Sequence, residues 1–237
     1  FDFVMKKENL SFYPAALKIC KIFYPKRPQN TTTTIQKPPL VKKNTAFKLN
    51  LQFDHPYLRE RNITPQVARF FQLGFCTSGM MKQRIAIPIV DRDKYTVAYC
   101  GRTIHHDCYP KYLFPTRFQK SKYLFNLQNL VPHSPNPVFI VEGFFDCIHI
   151  HTCGFDSLAL MGTTISAVQI DLLKYLDRRY ILMLDGDEAG KKAMHIIKAI
   201  LKRENIANHA VYLIHKKEPE LLDRDELELF VDRNLLG

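Results

Sequence analysis

No run of about 18 apolar residues occurs in this 237-residue chain, and Phe1–Leu10 lacks the apolar stretch of a secretion signal. Neither membrane insertion nor export is therefore expected; the chain is placed in the cytoplasm, with no membrane partner. Neither G-x-x-x-x-G-K-[ST] nor G-x-G-x-x-G is present, which removes the P-loop and the dinucleotide fingerprint. The six cysteines, Cys20, Cys76, Cys100, Cys108, Cys147 and Cys153, contain no C-x-x-C pair, so neither a disulfide framework nor a complete zinc site follows and reduced thiols are expected. The clusters His105-His106-Asp107-Cys108 and His149, His151, Cys153 match no standard metal-ligand spacing. Asp185-Gly186-Asp187 opens like a calcium loop, but the fifth and twelfth positions are Ala189 and Ile196, not oxygen ligands.

What is present is segregated charge. The net charge of +11 divides into 22 − 7 = +15 for residues 1–134 and 12 − 16 = −4 for residues 135–237. A basic half beside an acidic half suits a polyanion held by the first part and a cation-dependent site in the second. Residues 1–24 read as a short element followed by an amphipathic helix, with Ser11 as N-cap and Ala15, Leu17, Ile19, Ile22 and Phe23 as its apolar face. Residues 25–50 read as a basic linker, because four prolines and a threonine run within 25–45 prevent a packed core. Residues 51–134 form a smaller basic α+β part: a helix-rich start over Pro56–Gly74, then the runs RIAIPIVD and YTVAYCGRTI as a hairpin about Asp91–Lys94. In residues 109–127, Lys111, Arg117, Lys120 and Lys122 interleave with Tyr109, Tyr112, Phe114, Phe118 and Tyr123. That mixture suits a phosphate backbone with unstacked bases, or equally a core of aromatics under solvated lysines.

Residues 135–237 predict an α/β domain. Strands PVFIVEG, SLALMG, RYILMLDGD and HAVYLIH alternate with helices, and their continuous apolar character fits a parallel sheet covered by helices on both faces. Ser166 with Gln169 makes a capping box, Gly154 ends the first helix, and Met194, Ile197 and Leu201 give the last one an inward stripe. Ligands of such sheets bind beyond the carboxyl ends of the strands. There this sequence places Glu142, the pair Asp185 and Asp187, and then Glu218 and Glu220. An extended chain turns Asp185 and Asp187 to one side, with Gly186 leaving room for a cation or phosphate. Packed carboxylates repel unless a cation sits among them, and hard divalent ions take oxygen ligands and assist phosphoryl displacement. N-capping of the following helix would account for Asp187 alone.

VEGFFD (141–146), LMGTTIS (160–166) and LDGDEAG (184–190), in this order, resemble the Toprim domain of DnaG-type bacterial primases. HPYLRERNIT (55–64), RFFQLGFC (69–76), RIAIPIVD (84–91), CGRTI (100–104), PKYLFP (110–115) and FQKSKYLFNL (118–127) are similar to the basic N-terminal subdomain of the same catalytic core. The resemblance implies a Rossmann-like Toprim fold, and it makes residues 1–24 the tail of a zinc ribbon lying upstream, with zinc confined to that ribbon. It implies Glu142, Asp185 and Asp187 as catalytic carboxylates and, with Glu218 and Glu220, as ligands of Mg²⁺ or Mn²⁺. Arg84, Arg102, Lys111, Lys120 and Lys122 would meet template or nucleotide, Gly162 and Thr163 would touch phosphate, and Asp146 would support the site without ligating. Glu218-Pro219-Glu220 stands where primases usually carry aspartates around the proline. The implied function is RNA primer synthesis from nucleoside triphosphates on a single-stranded DNA template, with a replicative helicase as partner, and the short form resembles zinc-ribbon and Toprim proteins of mobile elements. The other readings are a non-catalytic nucleic-acid-binding module and a Toprim nuclease.

Overall fold

The computed structural model describes residues 49–105, 107–213 and 217–235. The expected ribbon tail and all of the linker but its last two residues lie outside the described residues. After strand β1 (Leu51–Gln52), two short helices, α1 (Pro56–Arg59) and α2 (Pro65–Phe70), start where the sequence offers a cap followed by proline. His55 and Thr64 accept from the N–H groups of Tyr57 and Val67, and Pro56 and Pro65 take the first helical position, where a missing N–H costs nothing. Strands β2 (Gly74–Cys76), β3 (Arg84–Val90), β4 (Thr96–Thr103) and β5 (Tyr112–Leu113) complete an antiparallel sheet ordered β1-β2-β3-β4-β5. The expected hairpin is β3–β4; its turn is fixed by Asp91, whose carboxylate accepts from the N–H groups of Asp93 and Tyr95, while Lys94 takes a left-handed φ of 67°.

The second sheet is parallel, as the apolar runs imply. Strands β6 (Val138–Val141), β7 (Asp156–Ala159), β8 (Tyr180–Leu182) and β9 (Asn208–Ala210) lie in the order β7-β6-β8-β9, connected by helices α3 (Phe144–Thr152), α4 (Ala167–Leu176) and α5 (Glu188–Arg203). The order reverses at β6, so the carboxyl ends of β6 and β8 flank the switch point where such sheets bind ligands. Both arms of the Ser166/Gln169 capping box are made, Gly154 follows α3 with a φ of 93°, and Met194, Ile197 and Leu201 are buried. Two strands stop earlier than the sequence predicts. β8 ends at Leu182 and β9 at Ala210, so residues 183–187 and 211–213 are loop. A last helix, α6 (Arg224–Leu235), was not predicted, although Asp223 and Glu226 form a reciprocal cap there, each carboxylate accepting the other's backbone N–H.

One buried cluster holds the two sheets together: Ile85, Ile87 and Ile89 of β3, Phe139 and Val141 of β6, and Phe125, Phe144 and Ile148 between them. Phe125 also exchanges both backbone hydrogen bonds with Ala159 at the edge of β7. In the basic-aromatic stretch, Phe114, Phe118 and Tyr123 stack on one another with interplanar angles of 6° and 10° and pack against this cluster, while Lys111, Lys120 and Lys122 are exposed. Those three rings are therefore committed to protein contacts. Tyr109, 85% exposed, stands outside them. Among the described residues no helix is long and apolar enough to cross a membrane.

Candidate active site

The chain leaves β6 at Val141, and Glu142 follows directly; its Oε1 accepts the backbone N–H of Asp185 at 3.3 Å, which joins the ends of β6 and β8. Asp185 is half-buried, and its buried Oδ1 has no hydrogen-bond partner among the described residues. Asp146, in the first turn of α3, is buried, and its Oδ1 accepts the N–H of Glu220 at 3.3 Å. These acids, with Glu218 and Glu220, line one wall of a cleft of about 530 Å³. Arg61, Arg102, Lys111, Lys120 and Gly162 line the same cleft. The charge asymmetry of the sequence thus brings acids of the second part and bases of the first to one cleft.

Burial raises the Glu142 carboxyl to about 7, with the Asp185 charge adding to it, and burial raises Asp146 to about 7 with a further push from Asp185. Asp185 rises to about 6, chiefly through burial and then through Glu218, while Lys111 pulls the other way. Each folded value lies above that of the free side chain, so the folded state holds more protons than the unfolded chain between about pH 4 and 7. The resulting stabilisation is complete below the unfolded values and lost as pH rises through 6 to 7. In chelator, the thermal midpoint should fall from pH 5 to 7.5, and the fall should be shallower in Asp146→Asn; a slope equal in both proteins would contradict the assignment.

A divalent cation suits this wall. It would give the orphaned Oδ1 of Asp185 a partner and relieve the repulsion that adds to burial in holding three carboxyls above their ordinary values. Among the described residues no three His, Cys, Asp or Glu side chains already form a metal cage. Mg²⁺ needs no such cage, since it uses one or two carboxylates with water and substrate phosphate.

Several expected residues fall elsewhere. Asp187 does not share the lining with Asp185: it is exposed and caps α5, its Oδ1 accepting from the N–H of Gly190 at 2.7 Å. The one-sided pair of an extended strand is absent because β8 has ended three residues before Asp185. Gly186 leaves space for backbone, not for a cation; its N–H donates to the carbonyl of Lys217, and a Cβ there would lie 3.1 Å from main-chain atoms of Leu213 and Lys217. Arg84 is buried and outside the lining, donating to the carbonyls of Gly101 and Pro110 at 3.2 and 3.0 Å. Lys122 and Thr163 are exposed outside the lining. Lys120 reaches the carbonyl of Met161 at 2.6 Å, which brings its charge against Gly162. Arg102 is buried over the Tyr112 ring, and its Nε donates to the hydroxyl of Tyr57.

Arg61 was missed by sequence reasoning. Its Nη1 donates to both carboxylate oxygens of Glu220, at 3.1 and 3.0 Å. HPYLRERNIT contains it, but nothing local separates it from Arg59, which pairs with nearby Asp54 at the surface.

A switch-point cleft with acids at the ends of β6 and β8 defines a Toprim-type α/β domain, and the Toprim-like family model matches residues 139–226. The model of the N-terminal domain of the DNA primase catalytic core matches residues 77–131. Together the two matches make the chain similar to the catalytic core of DnaG-type primases. It is 29% identical over 220 residues to a DNA primase of Legionella pneumophila, covering 76% of this chain and 38% of that protein. It is 26% identical over 267 residues to that of Aquifex aeolicus, covering 94% and 53%. The chain thus spans between about three tenths and one half of the curated relatives it matches. In fold it is similar to the zinc-binding and RNA polymerase domains of the Aquifex aeolicus primase, with a TM-score of 0.69 at 23% identity over 98% of this chain and 69% of that one. It is likewise similar to a DnaG primase catalytic domain bound to single-stranded DNA, with a TM-score of 0.64 at 22% identity over 76% and 69%.

Proposed function

We propose that this cleft synthesises RNA primers: on a single-stranded DNA template, the 3′ hydroxyl of one nucleotide attacks the α-phosphorus of a nucleoside triphosphate and pyrophosphate leaves. The observation that carries the reading is that the acids at the ends of β6 and β8 share a single cleft with Arg102, Lys111 and Lys120. Glu142 and Asp185 would hold Mg²⁺ or Mn²⁺, with Asp187 at the rim of the site and Glu218 and Glu220 as outer ligands. When bound, such an ion supplies charge neutralisation at the transferring phosphoryl group and the leaving pyrophosphate.

The chain's own groups do the rest. In the metal-free site burial raises the Glu142 carboxyl to about 7, and a cation on it would lower that value, so Glu142 would accept the hydroxyl proton only where the ion sits on Asp185. Asp146 holds the Glu220 segment through its backbone N–H and so orients the acid wall without ligating. Lys120, fixed on the carbonyl of Met161, and Lys111 present cations to the triphosphate or template backbone. Gly162 permits close approach of phosphate, since its φ of 158° and the neighbouring Lys120 Nζ leave little room for a side chain. In the domain division we propose, residues 51–134 supply the cations of the cleft and residues 135–237 its acids.

The test is incubation of the protein with single-stranded DNA, Mg²⁺ or Mn²⁺ and labelled nucleoside triphosphates. Labelled primers are the expected product. A shortened template would instead identify a nuclease, and DNA binding without any product would identify a scaffold.

A further inference from the structure

Glu220 faces the acidic cleft, yet both of its carboxylate oxygens already receive Arg61 Nη1. The pair is three-quarters buried, with side-chain exposures of 26% and 25%. The Arg61 guanidinium rests against the Phe145 and Tyr57 rings, 4.6 and 5.3 Å from their centroids, so aromatic faces hold it in place independently of Glu220. Behind the pair, Glu220 is anchored by its N–H to Asp146. Among the described residues Glu218, two residues away, has no ion pair and Asp185 Oδ1 has no hydrogen-bond partner. The acidic wall is therefore unevenly served: a guanidinium neutralises Glu220, while its neighbours wait for a cation.

We propose that Arg61 is a positioning residue that serves as counterion to Glu220 until a divalent cation displaces it, so that engagement of this acid is an exchange and not a simple addition. The proposal rests on the reading of the cleft as a metal-dependent site and deepens it. Two effects of the same sign follow from the geometry. The guanidinium occupies both oxygens that a cation would use, and its positive charge on the cleft wall repels an incoming divalent ion. Because ring contacts retain it, Arg61 remains after the exchange as a cation facing the cleft. In the absence of metal, the same pair keeps the 218–220 segment docked on α3.

Manganese alone is the probe, and free Mn²⁺ is counted by its paramagnetic resonance signal over the full chain at fixed pH and ionic strength. Removing Arg61 from an otherwise unchanged chain should tighten Mn²⁺ binding about threefold or more, the scale of a partly exposed ion pair. In a Glu220→Gln background, Arg61→Ala should tighten Mn²⁺ binding clearly less than in wild type, because only the repulsion by the guanidinium is removed and there is no carboxylate to release. Arg61→Lys, which keeps the charge but loses the planar fork, should fall between wild type and Arg61→Ala. Thermal melts verify folding; should Arg61→Ala fail to fold, the same cycle run with Arg61→Lys decides. Unchanged Mn²⁺ affinity on removing Arg61 would overturn the proposal, as would equal tightening with glutamine at position 220, which would mean a general field effect. Occupancy is read without turnover, so a wild-type chain that binds Mn²⁺ in this pattern but makes no primer would count against the proposed activity and leave the exchange standing.

Discussion

Glu142→Gln should lower primer synthesis by about 10²–10⁴-fold, the range attached to a positioned proton acceptor, while affinity for single-stranded DNA stays unchanged. Glutamine keeps the shape and keeps an oxygen that can accept the N–H of Asp185, so the junction between β6 and β8 survives. What is lost is the charge and the capacity to take a proton near neutral pH. The same substitution should raise the thermal midpoint in chelator at pH 7.5, because Glu142 is there a desolvated carboxylate repelled by Asp185. Lower activity with higher stability is a signature that unfolding cannot imitate. Retained primer synthesis in this variant would remove the acidic wall from the chemistry.

The parallel sheet was legible because strands buried on both faces must be continuous apolar runs, and PVFIV and YILML are such runs. Glu142 and Asp185 were legible for a related reason: an acid at the end of such a run has left the core and stands where the sheet binds its ligand. The roles of Asp187, Gly186 and Arg84 were not readable from position. Asp187 belongs to the helix that follows, and capping looks the same in sequence as ligation. The space beside Gly186 is filled by the chain around Leu213 and Lys217, an approach no local pattern announces. A buried arginine and an exposed one are the same letter, and only the carbonyls of Gly101 and Pro110 make Arg84 structural. Arg61 and Glu220 are 159 residues apart, so their pairing has no signature within any window. The cap of α6 is a different case: Asp223-x-x-Glu226 was present in the sequence and went unread.

Gly190→Ala sets two physical effects against each other, and their magnitudes decide the outcome. Alanine is the better helix former by about 1 kcal/mol, and Gly190 lies in the first turn of α5. A Cβ at this position, however, would stand 2.1 Å from the carbonyl oxygen of Asp185 and 3.0 Å from Glu142 Oε1. The first contact is with backbone, so no side-chain rotation relieves it; either α5 or the loop carrying Asp185 must move. Such overpacking costs about 1–3 kcal/mol or more, which outweighs the helical gain. The thermal midpoint should fall by several degrees, at about 2–4 °C per kcal/mol for a chain of this size. Because the displaced atoms belong to Asp185 and Glu142, Mn²⁺ binding and primer synthesis should be lost together with that stability. Gly154→Ala supplies the contrast. Its φ of 93° strains any side chain, but nothing lies within 4 Å of the added Cβ, and the position is at the far end of α3 from Glu142. That variant should lose stability and keep both Mn²⁺ binding and activity. If Gly190→Ala instead matched Gly154→Ala in all three measurements, the close packing of α5 against the acid wall would have no part in building the site.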